Sequence, residues 1–239
     1  MAEPLKGAAC ASVRECHGAP EDSVSSVRFG RESDLLAVAS WDSKLRVYDG
    51  DSCQLTWVGE SSDPLLDTVF GASDDALFAA GLGGSILKFD PLGGSATETL
   101  GSHSAPIGCL AYEPFGAGTL VSAGWDGDVK QWDVRVPHGL VAGVSLGRGQ
   151  ENIIRPVSID TAGHLVFVAG SERVIEIFDI RRFDHFVQAR ESSLAAQTRA
   201  LRCSPDGAHF VVAGMEGRVA VEVVDPSPKA QVSAHQTVF

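Results

Sequence analysis

Cysteine is scarce: Cys10, Cys16, Cys53, Cys109 and Cys203 are the 5 in 239 residues, and no C-x-x-C pair occurs among them. Neither a zinc ribbon nor a disulfide-stapled scaffold is indicated. Basic residues are also in deficit, with 19 Lys and Arg against 31 Asp and Glu for a formal charge of −12. A generic nucleic-acid binder needs a basic footprint on the phosphate backbone, so direct nucleic-acid binding is not expected. No window approaches the roughly 18–20 consecutive apolar residues of a membrane-spanning helix. The opening residues lack the apolar core of a secretory signal. An intracellular protein without a membrane partner is expected. Cys10, Cys16 and His17 could together hold a metal, but a solvated tail is the preferred reading, and no metal or cofactor is expected.

What the chain does have is a core-forming composition, 44% apolar, and a generous supply of 26 glycines for tight turns. No stretch sustains a 3.6-residue apolar period, so helix is expected to be minor. Charge is uneven: residues 15–75 hold thirteen acids and four bases, whereas residues 173–202 hold six arginines and four acids. Local basic chemistry is therefore expected in the second half.

A pattern recurs. LRVYD ends at Asp49, ILKFD at Asp90, VKQWD at Asp133, IEIFD at Asp179 and VEVVD at Asp225, at intervals of 41, 43, 46 and 46 residues. A period in the forties with an aromatic or apolar residue before the closing Asp points to WD repeats, each forming one four-stranded blade of a β-propeller. The expected fold is all-β, a WD-repeat β-propeller with five recognisable blades. Residues 1–23 form a tail able to contribute one strand, and blades are expected at about 24–60, 61–102, 103–147, 148–193 and 194–239. In the first unit SSVRF, LLAVAS, KLRVY and QLTWVG are short runs rich in β-branched and aromatic residues. Between the second and third strands of each unit lies a tight turn, WDS at 41–43, LGGS at 82–85, WDGD at 125–128, SER at 171–173 and EGR at 216–218. Asp and Gly suit such turns because they accept positive φ or cap their own backbone.

The third unit is the most complete. His103, Ser122, Asp126 and Trp132 fall where WD repeats place a hydrogen-bonded tetrad joining loop, strands and turn. The same residues invite a hydrolase reading with Ser122, His103 and Asp126 as a triad. No G-x-S-x-G elbow, Walker loop or H-E-x-x-H motif accompanies them, and the structural reading is preferred. No catalytic residue is expected.

Toward the C-terminus the sequence becomes more specific. ESSL and QTR within residues 190–207, then EGRVAVE within 215–228, closely resemble the mitotic spindle checkpoint family of WD-repeat proteins that partner the Bub kinases. ASWDSKLRVYD and SAGWDGDVKQWDVR resemble the early blades of the same family. A sister family, the WD-repeat mRNA export factors that bind a nucleoporin, shares part of this framework. Ser193, Glu222 and the DPSP run at 225–228 favour the checkpoint family. The resemblance implies a seven-bladed, non-enzymatic propeller, found in the nucleus and at kinetochores in mitosis. Five units are recognisable here, so either five blades close into a tighter ring or two blade faces stay open.

The resemblance further implies two partners: a Bub-kinase segment called the GLEBS motif, and phosphorylated Met-Glu-Leu-Thr repeats of the kinetochore scaffold. Carried onto this sequence, the GLEBS contacts are Arg199 and, more weakly, Glu151. The phosphothreonine reader is Arg218 beside Trp41, with Trp125 a further wall. The family's aromatic before QTR is replaced by Ala196. A physical case stands beside this one. Trp41, Trp125 and Arg218 are expected at equivalent turns of units one, three and five. Arg presents a planar fork to an anion, and an exposed Trp offers a rigid apolar wall. The plainer alternative is that each Trp caps its blade and each Arg pairs with a neighbouring Asp. For Arg190 and Arg202, surface solvation is expected.

Overall fold

The structure is a computed structural model describing residues 13–93, 97–113, 118–147, 154–204, 207–224 and 236–238, the last three by backbone alone. Among the described residues twenty strands form five four-stranded sheets, and in each of these the strand order follows the chain. Blade one comprises β1 (Val24–Phe29), β2 (Leu35–Ser40), β3 (Lys44–Asp49) and β4 (Leu55–Glu60). Blade two comprises β5 (Leu65–Phe70), β6 (Leu77–Gly81), β7 (Ser85–Phe89) and β8 (Glu98–Ser102). Blade three comprises β9 (Ile107–Glu113), β10 (Thr119–Gly124), β11 (Asp128–Asp133) and β12 (Leu140–Ser145). Blade four comprises β13 (Pro156–Ala162), β14 (Leu165–Gly170), β15 (Val174–Asp179) and β16 (Arg182–Glu191). Blade five comprises β17 (Thr198–Cys203), β18 (His209–Gly214), β19 (Val219–Val223) and β20 (Gln236–Val238).

The five four-stranded blades of a propeller are thus as the period indicates. Residues 13–23 form no strand. They lie against blade one instead, where Tyr48 Oη donates to the Gly18 carbonyl at 2.9 Å.

The second strand of each blade reads as a near-continuous apolar run because both its faces are covered. In β6 all five residues of LFAAG are buried, whereas β4 alternates between covered and exposed. Four buried apolar clusters fill the spaces between consecutive blades. Leu45, Val47, Phe70 and Phe89 join blades one and two, and Phe78, Tyr112, Leu120 and Trp132 join two and three. Val121, Val129, Val168 and Phe178 join three and four, and Phe167, Ile177, Phe210 and Val212 join four and five. Each such side chain, fully buried, contributes about 1.5–3 kcal/mol. Among the described residues no equivalent cluster joins blade five to blade one.

The five turns between second and third strands share one conformation. Their third residue has positive φ in every case: Ser43 (63°), Gly84 (71°), Gly127 (84°), Arg173 (64°) and Gly217 (76°). A left-handed residue closing a three-residue turn lets a hairpin continue without splaying its strands. Three of the five are Gly, which accepts that conformation freely.

A second repeated device lies on the innermost strands. The ladders of β1, β5, β13 and β17 each skip one residue near the start, at Ser25, Leu66, Val157 and Arg199, and β9 skips Gly108. These bulges bend the strand and re-aim the skipped side chain. All five skipped residues line one end of a central channel.

Candidate functional site

The residue opening each turn donates its N–H to a carbonyl just ahead of the innermost strand. The pairs are Trp41 to Ser23 (3.0 Å), Leu82 to Pro64 (3.0 Å), Trp125 to Pro106 (2.8 Å), Ser171 to Arg155 (2.9 Å) and Met215 to Gln197 (3.0 Å). All five turns therefore sit at the end of the disc where the inner strands begin. Trp41 and Trp125 stand there 42% and 40% exposed. The residue equivalent to them in blade five is Met215, not Arg218, which corrects the expected equivalence. Arg218 lies three residues further on, level with Lys44 and Asp128, because the turn spans Met215, Glu216 and Gly217 before β19 begins. Arg218 is exposed, and its carbonyl accepts from Gly214 N–H at 3.0 Å.

The turns are tied down differently from blade to blade. In blade three His103 Nε2 lies 2.7 Å from Ser122 Oγ and His103 Nδ1 3.1 Å from Asp126 Oδ1, while Trp132 Nε1 donates to Ser122 Oγ at 2.8 Å. The hydrogens that satisfy this row put a proton on Nδ1, leaving Nε2 to accept from the serine. Asp126 also accepts from the backbone N–H groups of Ser104 and Asp128. Burial pushes the His103 pKa down, against the opposing pull of Asp126. Burial would raise Asp126, but its hydrogen bonds to His103 and to backbone amides outweigh this and hold it below the usual carboxylate range. Ser122 is fully buried. In blade one, Arg46 takes the partner role, 2.7 Å from Asp42 with both side chains buried.

Arg199 is the skipped residue of β17, and it shares the upper chamber of the channel, about 250 Å³, with Arg28 and Arg202. Trp125 overhangs the same chamber: a Cβ added at Gly108, which lines it, would come 3.0 Å from Trp125 Nε1. The loop leading to Arg199 is fixed by a buried carboxylate. Glu222 Oε1 accepts from Ser193 Oγ (2.8 Å) and Ser193 N–H (3.2 Å). Arg190 completes the cluster, 3.3 Å from Glu222 and stacked 4.5 Å from the Phe210 ring centre. Arg190 is thus an internal brace and not a solvated surface residue. Arg202 is exposed, but into the channel. The arrangement brings Arg199 and Trp125 to one mouth and sets Trp41 and Arg218 on the same end of the disc. Glu151 and Cys10 lie outside the described residues.

Sequence reasoning misses Arg28 and Arg31. Arg28 occupies in β1 the register that Arg202 occupies in β17, and the signal that could reveal it is alignment of the inner strands on their skipped residue. Arg31 lies two residues past the end of β1, and its guanidinium donates to the Tyr112 carbonyl at 2.8 Å.

Comparison with known proteins bears on the repeat and the fold. The WD domain, G-beta repeat, matches residues 9–49 and 94–133. The chain is 31% identical to the mitotic checkpoint protein bub3 of Dictyostelium discoideum, over 89% of this chain and 62% of that protein. It is 33% identical to the mitotic checkpoint protein BUB3.1 of Arabidopsis thaliana, over 93% of this chain and 64% of that protein. An mRNA export factor, GLE2 of Chaetomium thermophilum, is 29% identical over 86% of this chain and 58% of that protein. The chain spans about three fifths of the length of these relatives.

Proposed function

Since the chain is a WD-repeat propeller protein with mitotic checkpoint proteins among its relatives, we propose that it is a non-enzymatic adaptor of the spindle assembly checkpoint. It binds a GLEBS-type segment of a Bub kinase together with a phosphorylated kinetochore scaffold, in the nucleus and at kinetochores in mitosis. The carrying observation is a likeness that runs through about nine tenths of the chain. The geometry supports it: one end of the disc carries exposed Trp41 and Trp125, with Arg199, whose guanidinium has no side-chain partner among the described residues, lining the channel mouth. Arg199 offers a fork to a carboxylate of the kinase segment. Arg218 faces a phosphothreonine, and Glu151 is a further contact to the kinase segment. A non-enzymatic role is supported by Ser122, whose buried hydroxyl already serves both His103 and Trp132.

The test is retention of the chain on an immobilised GLEBS peptide, with binding to phosphorylated and plain Met-Glu-Leu-Thr peptides measured by titration calorimetry. Arg199→Glu is expected to weaken GLEBS binding by more than tenfold, since stranding a paired charge costs about 2–5 kcal/mol. Arg218→Ala is expected to erase the preference for the phosphorylated peptide. Failure of the unaltered chain to bind GLEBS, or unchanged binding in both variants, overturns the reading. The likeness to the export factor favours a second reading, a nucleoporin-binding role. A nuclear-rim signal through interphase would support it, whereas punctate chromosomal signal in mitosis supports the checkpoint.

A further inference from the structure

At the opposite end of the channel from the turns, where the inner strands finish, lies a second and larger chamber of about 400 Å³. It is reached by residues of all five inner strands or the turns that follow them, and three of these are Arg28, Arg31 and Arg202. Arg28 and Arg202 also line the upper chamber, so they stand at the waist between the two. We propose that the lower chamber is a binding site for a small phosphorylated ligand, held by these three guanidinium groups.

The first support is the state of the arginines themselves. A guanidinium carries five N–H donors, and few of those here are used. Arg202 donates to its own strand neighbour, the Leu201 carbonyl, at 2.8 Å and lies 3.5 Å from Ser158 Oγ. Arg31 donates to the Tyr112 carbonyl, its guanidinium carbon 5.6 Å from the centre of the Tyr112 ring. Neither has a carboxylate within salt-bridge distance among the described residues. Arg28 has one, Asp67 at 3.3 Å. That carboxylate is already shared with Ser26 Oγ and with the backbone N–H groups of Thr68 and Leu110.

The second support is how the acids of the chamber are placed. Glu113 is buried. Asp160 occupies in β13 the register of Arg28 and Arg202, and its two oxygens accept from the backbone N–H groups of Thr161 and Cys203 at 3.0 and 2.7 Å. The Asp160 carboxylate is thus held by amides and the cations are left with donors to spare. On a chain of net charge −12, three arginines gathered at one axis are a local reversal of sign, and planar forks are the geometry that phosphate oxygens accept. The volume lies at the small end of the range for small-molecule sites, about 300–1,000 Å³. An axial chamber of that size, ringed by the ends of five strands, fits a compact polyanion better than an extended peptide.

The experiment is titration calorimetry of the full chain with inorganic pyrophosphate, alongside orthophosphate and a phosphothreonine peptide. Pyrophosphate is expected to bind more tightly than orthophosphate and to weaken as salt rises. Arg31→Ala and Arg202→Ala are each expected to weaken it at least tenfold, with Arg202→Lys retaining part of the affinity. These two positions are chosen because neither bridges a carboxylate, whereas Arg28→Ala also strands Asp67; a thermal melt verifies that each variant is folded. Absence of pyrophosphate binding, or affinity unchanged in both folded alanine variants, overturns the proposal. So does a phosphothreonine peptide that binds through Arg31 and Arg202 where pyrophosphate does not. Arg31 belongs to the end away from the turns, so its loss tests this site without touching the residues proposed for the checkpoint peptides.

Discussion

His103 shows how much one side chain can set when its surroundings are fixed. Burial lowers its folded pKa, so the unfolded chain takes up a proton first as the pH falls. Stability from this group is complete above the unfolded value of about 6.5 and is lost below it, down to the folded value. Asp126, also depressed, loses its contribution further into acid. The melting temperature is therefore expected to drop between pH 7 and pH 5. The drop should be smaller in His103→Gln, whose side chain does not titrate; equal drops in the two proteins would show that the histidine is not responsible. At this scale the sequence is informative where chemistry is spaced regularly, as with the Trp and Asp that mark the turns. It is uninformative where a residue's meaning depends on register. Arg202 reads as one more surface arginine until β1 and β17 are superposed on their skipped residues, which places it beside Arg28. Ser193 and Glu222 look like separate family marks 29 residues apart, but they are one hydrogen-bonded pair.

Among elements, the hairpins are the most legible part of the molecule. The first unit's runs SSVRF, LLAVAS, KLRVY and QLTWVG agree with β1 to β4 to within a residue or so at each end. Apolar alternation and the turn residues fix both ends of each strand. The bulges are not legible, since a skipped residue leaves no compositional trace; Ser25, Leu66, Gly108, Val157 and Arg199 have nothing in common but their place. Glycine is informative where backbones nearly touch. At Gly81, the last residue of β6, an added Cβ would sit 1.9 Å from the Pro64 carbonyl oxygen and 2.8 Å from Leu65 Cα, so β5 would have to move. Gly81→Ala is expected to cost about 3 kcal/mol, lowering the melting temperature by about 6–12 °C. Gly143→Ala, whose Cβ would meet Lys130 Cγ at an ordinary 3.6 Å, is the control and should melt within about 3 °C of the unaltered chain. Indistinguishable melts would show that the inner hairpin yields more easily than its geometry implies.

Across the whole molecule, five units are visible as five closing aspartates, but how they meet is not, because blade contacts are made by side chains whose partners lie about forty residues away. The two alternatives left open by the repeat count receive a mixed answer. All five inner strands line one channel, while the four apolar clusters leave the seam between blades five and one without a counterpart among the described residues. Among the described residues, blades two, three and four are thus gripped on both sides, and one and five on one side only. Hydrogen exchange should reflect this, with β10 and β11 amides at least tenfold slower than those of β2, β3, β18 and β19, about 1.4 kcal/mol in local opening. Uniform protection would show the seam to be as tight as the rest. Every sheet is also assembled from four strands consecutive in the chain, the fifth being completed by β20. Among the described residues no sheet takes a strand from another unit, so each wedge can form from its own stretch of chain and then dock on the one before it.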